Sequence, residues 1–168
     1  PPMLVCRILS AVALINVLII PGAGFAQPLT FAAIGDVPYG PHEEFASLIE
    51  KLNGQPIAFT LHVGDIKSGS TVCSDETFLK VRELFDQFDR ALIYTPGDNE
   101  WTDCHRANNG SHNPLERLEK LRHIFFQGAQ SLGQQPLTLT RQSSVHPEHD
   151  IYVENAMWVY EGVVFVTL

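Results

Sequence analysis

From Leu29 onward, apolar and polar positions alternate between two spacings. Leu29 to Ile34 is a short apolar run that ends in Gly35-Asp36. Phe45, Leu48, Ile49 and Leu52 then recur at i, i+3, i+4 and i+7, the single apolar stripe of a helix. A second run, Ile57 to Val63, ends in Gly64-Asp65. Ser74 is placed to cap a helix that carries Phe78, Val81, Phe85 and Phe88 on one face. A third run, Ala91 to Thr95, ends in Pro96-Gly97-Asp98. Asn113-Pro114 opens a further helix, with Asn at the cap, Pro in the first turn and Glu116 three residues on. Its stripe is Leu115, Leu118, Leu121 and Phe125.

Strand and helix patterns that alternate in this way predict an α/β domain with a largely parallel sheet. Residues Gln127 to Asp150 are polar and rich in Gln and Ser, which reads as a long surface loop. From Ile151 the chain turns strand-like, with Glu161-Gly162 set between two β-rich runs as a hairpin turn would be. The last run, Val163 to Leu168, ends without a turn or cap, so the sequence reads as a C-terminally truncated domain. It contains no internal repeat.

The segment before Leu29 follows a different logic. Arg7 precedes the apolar run Ile8 to Ile20, Pro21-Gly22 breaks it, and Gly24-Phe25-Ala26 supplies small residues around a cleavage point. That is the layout of a secretory signal over residues 1–26, with Met3 as the expected true start. A stable membrane span needs about 20 apolar residues, more than this run offers. The mature chain, 27–168, is then an exported domain, periplasmic or extracellular. Cys73 and Cys104 remain in it, an even pair that fits one disulfide, the alternative being two free thiols.

Charge narrows the partners. Eleven Lys and Arg stand against nineteen Asp and Glu among 168 residues, for a formal net charge of -8. A nucleic-acid binder needs a basic face, and none is evident here. An anionic substrate would need a local positive charge, such as a metal ion.

Gly35-Asp36, Gly64-Asp65 and Gly97-Asp98 each close an apolar strand. Ligands of open parallel sheets bind at the carboxyl ends of the strands, so neighbouring strands would bring the three carboxylates to one edge. Clustered like charges call for a cation, and all-oxygen donors call for divalent or trivalent metal ions, two of them being expected here.

With these motifs the chain resembles the calcineurin-like metallophosphoesterase superfamily. Gly35-Asp36-Val37-Pro38-Tyr39 stands where that family has Asp-x-His, Gly64-Asp65-Ile66-Lys67 matches its second motif, and Gly97-Asp98-Asn99-Glu100 stands for its Gly-Asn-His-Asp/Glu. The resemblance covers about residues 29 to 168 and implies the N-terminal part of a layered α/β/β/α sandwich. It implies an exported hydrolase of phosphoesters, a phosphatase or phosphodiesterase, with a metal-activated water. Asp36 and Asp65 would bind metal, Asp65 as the bridge, and Asp98 would offer a third carboxylate. The two ions would be Fe, Mn or Zn. Glu100 would orient the third loop, and Asn99 would hold a phosphoryl oxygen.

The departures define a second expectation. Pro38 cannot ligate, although Tyr39 offers a phenol nearby, and Asn99 donates a hydrogen bond without delivering a proton. Asp103, His105 and His112 follow closely as stand-in acids, while His146 and His149 read as loop residues. His62, set among apolar neighbours, reads as a core residue. The family's later histidine segment has no match in this sequence. The competing reading is therefore a degenerate module that binds a metal or a phosphoryl ligand, or an inactive fragment. A haloacid dehalogenase site needs Asp-x-Asp, a serine hydrolase needs its Gly-x-Ser-x-Gly elbow, and a phosphate-cradling Gly-rich loop needs Lys-Ser/Thr; none is present.

Overall fold

A computed structural model describes residues 28–168. The expected signal segment lies outside the described residues. The first half alternates strand and helix: β1 (Ala32–Ile34), α1 (His42–Asn53), β2 (Phe59–His62), α2 (Asp75–Phe85) and β3 (Ala91–Tyr94). Two 3₁₀ turns, Thr102–His105 and Ala107–Asn109, lead into α3 (Pro114–Phe125). The second half holds β4 (Thr140–Arg141), a short α4 (Gln142–Val145), a 3₁₀ turn Pro147–His149, and the hairpin β5 (Ala156–Tyr160) and β6 (Val163–Thr167). The fold class is α/β.

The three early strands pair in parallel in the order β1-β2-β3, with Ile34 beside His62 and His62 beside Tyr94. All three carboxyl ends therefore finish at one level of the sheet. That alignment places the Gly-Asp motifs side by side. The late strands form a separate antiparallel sheet, β4-β5-β6. Glu161 and Gly162 both adopt positive φ, 48° and 77°. Two successive left-handed residues are the geometry of a two-residue hairpin turn whose twist matches that of the strands.

Each helix is held by its apolar stripe. Phe45 and Ile49 of α1, with Phe78, Val81, Leu84 and Phe85 of α2, enter one core against Leu92 and Tyr94. Leu121 and Phe125 of α3 close it. The other face of the parallel sheet meets the antiparallel sheet through Phe59, Ala91 and Ile93 against Leu139, Ala156 and Trp158. The Phe59 ring lies edge-on to Trp158 and Phe165 at centroid distances of 5.7 and 5.1 Å. Among the described residues, no helix is long and apolar enough to cross a membrane.

Three expectations need correction. Leu115 is 70% exposed, and the buried position on that turn of α3 is Arg117. Arg117 donates to the Cys73 carbonyl and pairs with Asp75, so charged partners from α2 stabilise what apolar spacing would assign to a leucine. Phe88 is buried, but it lies beyond the end of α2, which is capped at Asp86. The polar stretch from Gln127 to Asp150 is no simple surface loop. Leu132 and Leu139 are buried in it, and Leu132 exchanges backbone hydrogen bonds with Leu92 at the edge of β3.

Caps follow the sequence closely. Ser74 accepts from the Thr77 N–H at the start of α2, and Asn113 accepts from Leu115 and Glu116 at the start of α3. Immediately before Ser74, Cys73 is disulfide-bonded to Cys104 across a sequence separation of 31. By loop-closure entropy this bridge is worth about 3–4 kcal/mol. Replacing both cysteines with serine should lower the unfolding free energy by about that amount, read as an earlier denaturant midpoint. A loss well below 1 kcal/mol would show that the surrounding hydrogen bonds hold these loops unaided.

Candidate functional site at the strand ends

The residues that leave β1 and β2 share one unusual conformation. Asp36 and Asp65 both have positive φ, 57° and 58°. Outside glycine this region costs on the order of 1 kcal/mol, and aspartate is among the side chains that tolerate it best. The turn swings each carboxylate off the strand toward its neighbour. Gly64, at φ 98°, lies against the Gly97 backbone, and Gly97 in turn lies against the Asp65 carboxylate. A β-carbon at either glycine would overlap that neighbour, so β2 and β3 approach closely only because both motifs carry glycine.

The two carboxylates meet at one phenol. The Tyr39 hydroxyl is 2.9 Å from Asp36 Oδ1 and 3.0 Å from Asp65 Oδ2, and it accepts from Asn99 Nδ2 at 2.8 Å. The Asn99 backbone N–H donates to Asp65 Oδ1 at 3.2 Å. Partial burial, reinforced by the two carboxylates, pushes the Tyr39 phenol well above its ordinary value. It therefore stays protonated and shares one proton between two acceptors. Beside Tyr39, a cleft of about 190 Å³ is lined by Pro38, Pro41, Glu44, Phe45 and Leu48.

Beneath this pair sits Glu100, fully buried. Its carboxylate accepts from the backbone N–H groups of Asp65, Ile66 and Gly97 and from the Tyr94 hydroxyl, at 3.1, 3.3, 2.7 and 2.9 Å. Burial raises the Glu100 pKa, and the hydrogen bonds from Gly97 and Tyr94 oppose that rise. One side chain thus joins the loops that follow β2 and β3.

The third motif is divided. Asn99 joins the network, whereas Asp98 is exposed and, among the described residues, only its carbonyl is engaged, by the N–H groups of Trp101 and Asp103 and the Thr102 hydroxyl. The convergence therefore comprises two carboxylates and a phenol instead of three carboxylates. His105 is exposed and bonded to the Thr102 carbonyl, Asp103 is paired with Arg106 at 2.6 Å, and His112 packs over Gly110. His146 and His149 are exposed, with His146 beside Glu148 at 3.3 Å.

A cation must therefore be judged against these donors. Among the described residues, no group of three or more His, Cys, Asp or Glu side chains is gathered to hold a metal ion. Asp36 Oδ1 and Asp65 Oδ2 nonetheless converge on the Tyr39 oxygen, and oxygen donors are what a hard cation takes. One ion would have to take the place of the phenol proton between the two carboxylates. The second ion of the expectation has no ligand set among the described residues.

Several structural supports of the site were not legible in the sequence. Lys67 is fully buried, donating to the Ser68 carbonyl and to Asn109 Oδ1, both at 3.1 Å, and burial lowers its pKa. Asn109 also donates to the Gly69 carbonyl at 2.9 Å. With the Cys73–Cys104 bridge, these contacts bind the loop after β2 to the loop after β3. Lys and Asn in loops ordinarily read as solvated, and Tyr94 as a plain strand residue. The turn that follows β3 folds Glu100 back onto Tyr94, six residues earlier. No family model, no curated protein and no solved structure matches the chain.

His62 sits at the end of β2 with its ring fully buried. Its Nε2 is 2.9 Å from the Val37 carbonyl, and its Nδ1 accepts from the Gly64 N–H at 3.3 Å. This pairing assigns the neutral tautomer with the proton on Nε2, since a protonated ring would leave the Gly64 N–H without its acceptor. Burial lowers its pKa from 6.5 to about 4. Below pH 6.5 the unfolded chain binds a proton that the folded chain refuses. The contribution of neutral His62 is complete above that pH and declines as acidification approaches pH 4. The loss should total on the order of 3 kcal/mol. Denaturant melts from pH 7 to 4 should show a steeper decline for the native protein than for His62→Gln. Equal slopes would remove His62 as the source.

Proposed function

We propose that the protein is an exported, metal-dependent phosphoesterase whose domain follows the layered calcineurin-like plan. The observation that carries the reading is the convergence of Asp36 and Asp65, from neighbouring parallel strands, on one hydroxyl, with Glu100 fixing the loops below. Two aspartates in the same strained conformation at adjacent strand ends are poorly explained as turn chemistry alone. The helices on one face of the parallel sheet and the second sheet on the other are compatible with the layering. The Cys73–Cys104 bridge suits an oxidising compartment and hence export.

In this reading Asp36 and Asp65, with Tyr39 beside them, would hold the cation. When bound, it would supply Lewis acidity and a water acidic enough to act as a nucleophile near neutral pH. Asp65 is fixed from two sides, its backbone N–H by Glu100 and its Oδ1 by the Asn99 N–H. Asn99 turns its amide toward the same point and can donate to a phosphoryl oxygen that displaces the Tyr39 contact. It cannot protonate a leaving group. Substrates with good leaving groups, aryl phosphoesters first, are therefore favoured.

A second reading rests on a specific observation. Pro38 replaces a possible ligand, and Asp98 keeps its carboxylate outside the network. Both fit a domain that binds a metal or phosphoryl ligand without turnover. The two readings part on catalysis. The full-length protein, loaded with Mn, Fe or Zn, should hydrolyse an aryl phosphate monoester or diester and lose that activity with a chelator. Asp65→Asn should reduce turnover by more than about a hundredfold, beyond what outer-shell changes at metal sites cost, with the thermal melt retained. Absence of turnover with every metal, alongside retained metal binding, would establish the binding module instead.

A further inference from the structure

The loops that follow β1, β2 and β3 carry only two Lys or Arg residues between 36–41, 65–73 and 98–112, namely Lys67 and Arg106. Lys67 faces inward, with its ammonium group engaged by the Ser68 carbonyl and Asn109. Arg106 is about half exposed. Its Nη1 lies 2.6 Å from the buried Asp103 carboxylate, and among the described residues its other N–H groups have no protein acceptor.

The position of Arg106 is fixed by what surrounds it. Cys104, two residues earlier, is bonded to Cys73, and the Arg106 carbonyl accepts from the N–H groups of Asn109 and Ser111. At Gly69 two side chains meet. A β-carbon there would stand 3.2 Å from Asn99 Oδ1 and 3.8 Å from Arg106 Nη1. Asn99 reaches from that point to the Tyr39 hydroxyl between the two carboxylates. The open α-carbon of Gly69 thus faces both the Asn99 amide and the Arg106 guanidinium.

We propose that Arg106 is the anion anchor of this site and selects phosphomonoesters, a deepening that rests on the phosphoesterase reading. A guanidinium presents its N–H groups in a planar fork that matches two oxygens of one phosphoryl group. A monoester has three non-bridging oxygens, enough to give two to the fork and one to the Asn99 amide, whose Nδ2 donates at the point where the two aspartates converge. A diester has two, and must give up one contact. The strongly acidic chain also repels an anion everywhere that no fixed cation stands, so the exposed guanidinium beside Asn99 determines where the phosphoryl group can settle. Asp103 orients the fork through Nη1 and leaves the remaining donors for ligand.

Isothermal titration of the full-length protein with manganese present tests this without relying on turnover. The probes are phenylphosphonate, a dianionic monoester analogue, and its monomethyl ester. The native protein should bind phenylphosphonate at least about tenfold more tightly, the scale of one hydrogen bond to a charged group. Arg106→Gln should abolish that preference, and Arg106→Lys should retain only part of it because the charge remains and the fork is lost. Both variants are checked by thermal melt, and the lysine variant carries the test if the glutamine variant fails to fold. An unchanged preference in a folded variant would overturn the role of Arg106 alone. A native protein that binds neither probe and hydrolyses no aryl phosphate would overturn the phosphoesterase reading with it.

Discussion

A carboxylate taken out of water at the edge of a sheet costs several kcal/mol unless its lone pairs find donors. Glu100 finds four, three backbone N–H groups and one phenol, and each comes from the end of β2 or β3 or the loop that follows. The arrangement is therefore mutual. The loops satisfy the charge, and the charge fixes the loops. Asp65 can hold a positive φ because its own N–H is committed to Glu100, and Gly97 can press against Asp65 because its N–H is committed to the same oxygen. Without this buried acid, the N–H groups of Asp65 and Gly97 would lose the acceptor they share.

On that foundation the upper layer of the site is an electrostatic compromise. Asp36 and Asp65 face one another across a shared hydroxyl, so their repulsion is relieved by a single proton and by the Asn99 amide behind it. Such a balance is local and easily redirected, because the phenol proton and a cation would compete for the same carboxylate oxygens. Glu100 lies below those oxygens and is joined to the same residue through the Asp65 N–H.

The legible parts of this structure were those written in short-range periodicity. The stripes of α1 and α2, the caps Ser74 and Asn113, and the left-handed turn at Glu161-Gly162 each depend on residues within one or two turns of one another. The three Gly-Asp strand ends were equally plain. What the sequence concealed depends on distant partners. Arg117 is buried because Asp75 and the Cys73 carbonyl await it from another helix, a fact that apolar spacing around Leu115 cannot encode. Leu132 stands alone among polar residues and left no periodic trace of its pairing with Leu92, and the Leu137-Thr138-Leu139-Thr140 alternation before β4 is too short to stand out from the polar stretch around it. Asp98 and Asn99 are adjacent, yet only the second turns into the site, because the 3₁₀ turn that starts at Thr102 takes up the Asp98 carbonyl.

The stitching between the second and third loops explains why a functional rim could be maintained on so few elements. Cys73–Cys104, Lys67–Asn109 and Asn109–Gly69 cross the same gap, one covalent, one charged and one neutral. Any one of them would tether the loops, but together they fix orientation as well as distance, which a flexible tether does not. The first loop is held differently. Asp36 is joined to Gly64 by one backbone hydrogen bond of 3.2 Å, Val37 is held by the His62 ring, and Tyr39 is held by the carboxylates themselves. Asn99 and Arg106 thus stand on a loop cross-linked to its neighbour, whereas Asp36 and Tyr39 stand on one held mainly by the hydrogen bonds of the site itself.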